Sequence, residues 1–193
     1  MKRTTNLVII SGPSGSGKDA VIEGLIKKRL PIERIISTTS RAMRKGESEG
    51  NPYYFIDKKT YQNLIDEDKL AEYKQVDNDE FYGVTKTEFE RVKNSKDKIG
   101  IWKIDYKGVQ DVKTYIPDIP AILIEPPDVE TLVKRSRARG QQSETEIQER
   151  IEYSKEFLKH KDLYDYSVVN EEGKLNKTID KVAKILKKEG LVK

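Results

Sequence analysis

A three-layer α/β fold, a parallel sheet flanked by helices, is predicted by three features of this chain. Short runs rich in Val, Ile and Leu recur along its 193 residues, and stretches of helical period separate them. The first run also feeds a glycine-rich turn that opens a helix. Such alternation of buried strands and amphipathic helices favours parallel pairing, because each crossover helix covers one face of the sheet.

Taken in order, Leu7 to Ile10 reads as a fully buried strand, and the helix predicted over 18–30 places Val21, Ile22, Leu25 and Ile26 on one face. Ile35 to Ile36 is the next strand candidate. The texture then changes between Ser37 and about Lys93. Tyr53 to Ile56, Leu70 to Val76 and Phe81 to Val84 read as short antiparallel strands around a helix at 58–67, an inserted mixed α/β lobe. Regular alternation returns with strands at Ile99 to Ile104, Ala121 to Ile124 and Ser167 to Val169. Helices are expected at 106–115, 129–139, 145–160 and 176–188. In the last of these, Leu175, Ile179, Val182 and Leu186 form a stripe suited to packing on the sheet. The segment Arg135 to Arg150, dense in Arg, Gly, Gln and Ser, reads as a helical lid.

Length and composition bound the function. A chain of 193 residues suits one α/β domain with small appendages. The expected subdivision is a core at 1–36, 96–134 and 160–193, a lobe at 37–95 and a lid at 135–159. Charged residues make up 36% and the mean hydropathy is −0.75, yet the apolar runs supply a core, which argues against disorder. Neither an 18-residue apolar run nor a basic-then-apolar leader is present, so the expectation is a cytoplasmic protein with no membrane partner. Zero cysteines exclude disulfides and thiolate metal sites and agree with a reducing compartment. The net charge of +4 comes from 37 basic residues interleaved with 33 acidic ones, not from a basic stripe, so nucleic acid is not an expected partner.

Residues Gly12 to Asp19 read G-P-S-G-S-G-K-D between the first strand and the first helix. Such a turn aims several backbone N–H groups and the positive helix end at one point, where a polyphosphate can sit. Lys18 then neutralises charge on the terminal phosphates. The usual pattern ends in a Ser or Thr hydroxyl that ligates magnesium; here Asp19 stands in that place. A second constellation is S-T-T-S-R-A-M-R-K-G-E from Ser37 to Glu47, followed by Gly50 and Tyr53-Tyr54-Phe55. Arg41 and Arg44, three apart with tyrosines nearby, suit a monophosphate dianion through charge-assisted forks, although alone they also fit a solvated basic turn. A phosphate site shortly after a phosphate loop suits phosphoryl transfer, which needs a donor and an acceptor.

With these motifs the chain resembles guanylate kinases over nearly its whole length. The likeness rests on the G-P-S-G-S-G-K loop, the S-T-T-S-R-x-x-R-x-G-E-x-x-G-x-x-Y-x-F segment and Glu72 before Tyr82-Gly83. It continues through Ile104-Asp105 with Gly108, Pro126-Pro127, the Arg-Gly lid and Val168-Val169-Asn170. The resemblance implies a P-loop kinase fold and transfer of a phosphoryl group from magnesium-bound ATP to GMP, with dGMP a further candidate acceptor. It puts Arg41, Arg44, Tyr53 and Tyr82 on the GMP phosphate and Ser37, Glu72 and Asp105 around guanine, with Glu47, Gly83 and Val84 in the same binding set. Guanine offers N1–H and N2–H2 donors side by side, which a carboxylate such as Glu72 can accept. For ATP it implies Gly12, Pro13, Ser14, Gly15, Ser16, Gly17, Lys18 and Asp19, with Asn170 at the adenine. The catalytic set it implies is Lys18, Arg41 and the lid arginines Arg135, Arg139 and Arg150. Arg137 has no such match and is expected at the surface, as is His160.

Three positions depart from that pattern. Val84 replaces a hydroxyl beside the guanine, Lys103 replaces an acidic residue two before Asp105, and Asp19 replaces the magnesium hydroxyl. The last two changes have opposite sign, so an Asp19–Lys103 pair is expected. Either the acidic role has moved from strand to loop, leaving Asp19 to ligate magnesium, or both changes record a damaged metal site. Other readings also remain. A G-K-D loop resembles ribose bisphosphate phosphokinases, and guanylate-kinase-like domains of scaffold proteins bind partners without catalysis. A small GTPase fits poorly, because Asp105 to Gly108 matches D-x-x-G but no N-K-x-D follows.

Overall fold

The computed structural model describes residues 5–44, 46–76, 79–137 and 144–192. Five parallel strands form the main sheet: β1 (Leu7–Ser11), β2 (Ile32–Arg34), β7 (Ile99–Trp102), β8 (Ala121–Glu125) and β9 (Tyr166–Val169), in the order β2-β7-β1-β8-β9. Period-two alternation along β1 decides which layer each residue feeds. Val8 and Ile10 pack with Val21, Ile22 and Leu25 of α1 (Lys18–Lys27) and with Ile179, Val182 and Leu186 of α7 (Leu175–Lys188). Leu7 and Ile9 point the other way, into a cluster with Trp102, with Phe89 and Val92, and with Val109 and Val112 of α4 (Tyr106–Tyr115). Two layers of helix around one sheet follow directly from that alternation, and all five β1 residues are buried.

The lobe is a second sheet of four strands, β3 (Thr38–Thr39), β4 (Tyr54–Phe55), β5 (Leu70–Val76) and β6 (Glu80–Thr85), in the order β4-β3-β6-β5. The expectation of antiparallel strands holds for β3 with β6 and for β5 with β6, whereas β3 and β4 run parallel. Asp57 caps α2 (Lys58–Asp66) by accepting from the Thr60 N–H at 2.9 Å.

Two local expectations are corrected. The strand predicted at Ile35 to Ile36 lies at Ile32–Arg34; Ile35 still donates its N–H to the Ile101 carbonyl at 2.9 Å, and the chain then leaves the sheet for the lobe. Sequence reading also missed α3 (Lys86–Lys93), whose cap Thr85 accepts from the Glu88 N–H at 3.2 Å. Beyond β8 lie α5 (Val129–Arg137) and α6 (Glu144–Lys159); of the lid expected at 135–159, residues 138–143 lie outside the described residues. Trp102 is fully buried. His160 stacks on Tyr106 with ring centres 4.4 Å apart at the end of α6, so it is more than a free surface side chain.

Candidate active site

The loop between β1 and α1 is shaped by its glycines. Gly17 caps α1 in the left-handed region, with φ of 92°, and a Cβ there would lie 2.2 Å from the Asn170 amide nitrogen. That amide donates to the Ser16 carbonyl at 2.9 Å, while Asn170 Oδ1 accepts from the Thr178 hydroxyl at 3.1 Å. Arg135 reinforces the same loop, donating to the carbonyls of Gly15 at 3.1 Å and Asn170 at 3.2 Å. Lys18 Nζ lies 3.0 Å from the Gly12 carbonyl. Asn170 and Arg135, expected at adenine and over the phosphates, both contact the loop backbone. Arg139 and the side chain of Arg150 lie outside the described residues.

Gly12, Pro13, Ser14 and Lys18 form one wall of a cleft of about 710 Å³. Ser37, Arg44, Tyr53, Glu72, Tyr82, Gly83 and Asp105 line the same cleft from the lobe and the start of α4. Residues of the glycine-rich loop and of the lobe, far apart in sequence, therefore face one space.

Arg41 organises the lobe end. Only 6% exposed, it donates to both Glu47 carboxylate oxygens at 2.8 and 3.0 Å and to the Tyr82 hydroxyl at 3.0 Å. Its guanidinium also stands 5.7 Å from the Tyr53 ring centre and 5.5 Å from that of Phe55. Glu47 in turn accepts from the Arg44 N–H at 2.8 Å, and the Arg41 pairing holds its carboxyl below the ordinary value. This bidentate clasp fixes the Arg41 side chain and the Arg44 backbone; of the two arginines, Arg44 lines the cleft and Arg41 does not.

Asp105 caps α4, accepting from the Gly108 N–H at 3.0 Å. It also accepts from the Tyr153 hydroxyl at 2.6 Å and from the Lys74 ammonium. Burial pushes this carboxyl up, yet Lys74, Tyr153 and the Gly108 amide together hold it below its ordinary value. Glu72 behaves oppositely. Burial and the Asp105 charge push its carboxyl up to about 8, with Asp111 adding to the rise and Lys74 opposing it.

Val84 is fully buried in the apolar cluster with Leu7, Ile9 and Trp102, and does not line the cleft. Gly83 reaches the cleft through its backbone, since a Cβ there would meet the Tyr61 hydroxyl and Tyr73, while Val84 pairs across the sheet with Glu72 but lies deeper. The valine therefore fills core where a cleft-facing side chain was expected. Sequence reading overlooked Lys74, Lys107 and Tyr153, which also line the cleft. For Lys74 the signal was present, since it lies two residues from Glu72 on β5 and shares its face. No local pattern marks Tyr153, which reaches Asp105 only through the docking of α6.

The expected Asp19–Lys103 pair forms, with Lys103 Nζ 2.8 Å from Asp19 Oδ1. Burial raises the Asp19 carboxyl, but Lys103, with Lys18 and Arg34 further off, outweighs it and the group sits below its ordinary value.

The guanylate kinase family model matches residues 4–189. The chain belongs to the guanylate kinase family. It is 36% identical over 191 residues to the guanylate kinase of Haemophilus influenzae, covering 97% of this chain and 90% of that one. Against the guanylate kinase of Buchnera aphidicola subsp. Schizaphis graminum it is 38% identical over 168 residues, covering 86% and 80%. The crystal structure of guanylate kinase from Anaplasma phagocytophilum superposes with a TM-score of 0.74 at 26% identity, covering 97% of this chain and 87% of that one. The kinase is thus an ATP:GMP phosphotransferase, forming ADP and GDP. Among its described residues no helix is long and apolar enough to cross a membrane.

For this kinase the Arg41 clasp makes a measurable prediction. Replacing Arg41 by Lys keeps the charge and loses the fork. The expected result is a rise in KM for GMP of about tenfold to a hundredfold, the equivalent of one or two charge-assisted bonds at about 1.4 kcal/mol per decade. Steady-state kinetics at saturating ATP reads it; an unchanged KM would remove Arg41 from phosphate binding.

Proposed function

We propose that GMP sits in the cleft with its phosphate toward Arg41, Arg44, Tyr53 and Tyr82 and its guanine toward Ser37, Glu72 and Asp105. ATP takes the loop from Gly12 to Asp19. The observation that carries this reading is the single cleft shared by the loop and the lobe. An oxygen of the GMP phosphate attacks the γ-phosphorus of ATP, the bond from that phosphorus to the bridging oxygen breaks, and ADP leaves with the electron pair. A phosphate dianion needs no general base. The protein contributes position and positive charge, from Lys18 on the loop and the arginine cluster on the lobe. The core, lobe and lid boundaries given above are part of this reading, as is a cytoplasmic setting. dGMP is a second acceptor, because base and phosphate are the groups the lining addresses.

Magnesium fits the donor set. Among the described residues no group of three or more His, Asp or Glu could hold a metal on protein ligands alone. One carboxylate beside a phosphate loop suits a hard cation that keeps its waters and takes most other ligands from phosphate. Asp19 is that carboxylate, in the first turn of α1. Bound there, magnesium would neutralise charge on the β- and γ-phosphates. A double-mutant cycle tests the relocated acid: Asp19→Ser and Lys103→Asp should each lower activity, and together partly restore it. Additive losses would contradict Asp19 as the replacement ligand.

A further inference from the structure

Lys103 occupies the joint between the two halves of the cleft. It follows β7 directly, lines the cleft and has a side chain 25% exposed. On one side its ammonium is 2.8 Å from Asp19, the residue after Lys18. On the other, the same ammonium is 5.7 Å from the ring centre of Tyr53, which also carries the Arg41 guanidinium at 5.7 Å. A cavity of about 50 Å³, lined by Asp19, Arg34, Ile36, Pro52 and Lys103 among others, borders the pair, so the two side chains have room to reorient.

Charge balance sets the two cations against each other: Lys103 meets only Oδ1, and a hard cation on either Asp19 oxygen draws charge from both and weakens the bond to the ammonium. Once Asp19 turns to metal-bound ATP, Lys103 loses its anion. The nearest new anions are the phosphates arriving between the loop and Tyr53, and the flexible four-carbon stem lets the ammonium follow them.

We propose that Lys103 is a catalytic residue of this kinase, released from Asp19 when ATP binds and donating to the transferring phosphoryl oxygens from between donor and acceptor. This rests on the reading of Asp19 as a metal ligand. Lys103 keeps its protons throughout: the new bond joins an acceptor phosphate oxygen to the γ-phosphorus, the broken one releases ADP, and the ammonium stabilises the charge between them. The Asp19–Lys103 pair is also a brake on metal binding, since the two cations compete for one carboxylate.

Two readouts on the intact protein test this. Electron paramagnetic resonance titration with Mn²⁺ in the presence of ATP measures metal binding without turnover, and steady-state assays with GMP measure kcat. Lys103→Met should bind Mn²⁺ about two- to fivefold more tightly, the range expected for losing a competing exposed ion pair. Its kcat should fall on the order of 10²-fold, with KM for GMP little changed, as for a lost transition-state donor. Lys103→Arg should recover part of kcat. Tighter metal binding with lower kcat is an outcome a merely structural pair would not give. Unchanged kcat in Lys103→Met, or weaker Mn²⁺ binding there, overturns the proposal. Asp19→Ala, which leaves no ligating oxygen on the side chain, separates the premise from the inference. Mn²⁺ binding unchanged in that variant refutes Asp19 as a ligand, whereas weakened binding there with a normal Lys103→Met kcat refutes only the role of Lys103.

Discussion

Lys18→Met is expected to lower kcat on the order of 10³-fold while leaving the fold intact. The lysine begins α1, and its ammonium meets the Gly12 carbonyl at 3.0 Å on the wall of the cleft. No other cation is carried by the loop itself between Gly12 and Asp19. During transfer, charge accumulates on the oxygens around the γ-phosphorus, and a cation fixed beside them acts most strongly in the transition state. Methionine keeps length and shape and removes only charge and donors. The affinity for ATP should fall less than kcat, because the loop amides and the helix end still hold the phosphates. Stability should stay within about 0.5 kcal/mol, as for a substitution outside the core. A loss under tenfold in kcat, with a normal melting curve, would show that the loop backbone and the arginines carry the charge alone.

Glu72→Gln is expected to lower kcat/KM for GMP by about 10²- to 10⁴-fold, because the amide offers guanine one acceptor and one misplaced donor. The same residue should make GMP binding depend on pH. In the free protein burial and Asp105 push the Glu72 carboxyl up to about 8. Lys74, the nearest cation, is paired with Asp105, and Asp111 opposes ionisation further, while the Tyr61 and Tyr115 hydroxyls feel the Glu72 charge in return. Guanine needs the ionised carboxylate, so below pH 8 binding GMP must release a proton. Affinity should therefore climb between pH 6 and pH 8 by about 50-fold from this group, since each unit below the pKa lowers the ionised fraction about tenfold. The GMP phosphate titrates in the same range, and Glu72→Gln isolates its share. The sign for stability is fixed by the same shift. Raised above the ordinary value of 4.5, this carboxyl favours the folded state at low pH, and that contribution is lost as pH rises toward 8. Glu72→Gln should accordingly gain stability over the parent at pH 8.5 and little at pH 4. Thermal melts at the two pH values check it, and equal differences would place Glu72 in a water-like setting.

Much of the fold is legible because strand alternation and helix period are local. Leu7 to Ile10 could be assigned without knowing its neighbours, and its two faces then dictated two helical layers. The helix α3 was equally legible, since Thr85 and Glu88 carry the spacing of a capping box ahead of Phe89 and Val92. It lies immediately after β6, and the strand pattern masked the start signal. Positions set by tertiary packing were not legible. Val84 shares a strand face with Tyr82 but lies deeper, against Leu7, Ile9 and Trp102, so an expected cleft residue became core. Asn170 and Arg135 turn onto the loop because its backbone carbonyls need partners, a demand that appears only once β9 and α5 lie beside it. Tyr153 reaches Asp105 across 48 residues of sequence. By contrast, the Asp19–Lys103 pair was readable from two charges of opposite sign at positions that the sheet brings together.

The most direct measurement is the ratio of kcat/KM for GMP over AMP, taken on the parent enzyme and on Glu72→Gln under identical magnesium and ATP. A cleft that seats the acceptor base against Glu72 predicts a parent ratio on the order of 10⁴, since the wrong base leaves buried polar groups unpaired. It also predicts collapse of that ratio by at least tenfold in the variant, with AMP turnover little changed. A parent ratio near unity, or a ratio that survives Glu72→Gln intact, would contradict the assignment of this lobe to guanine.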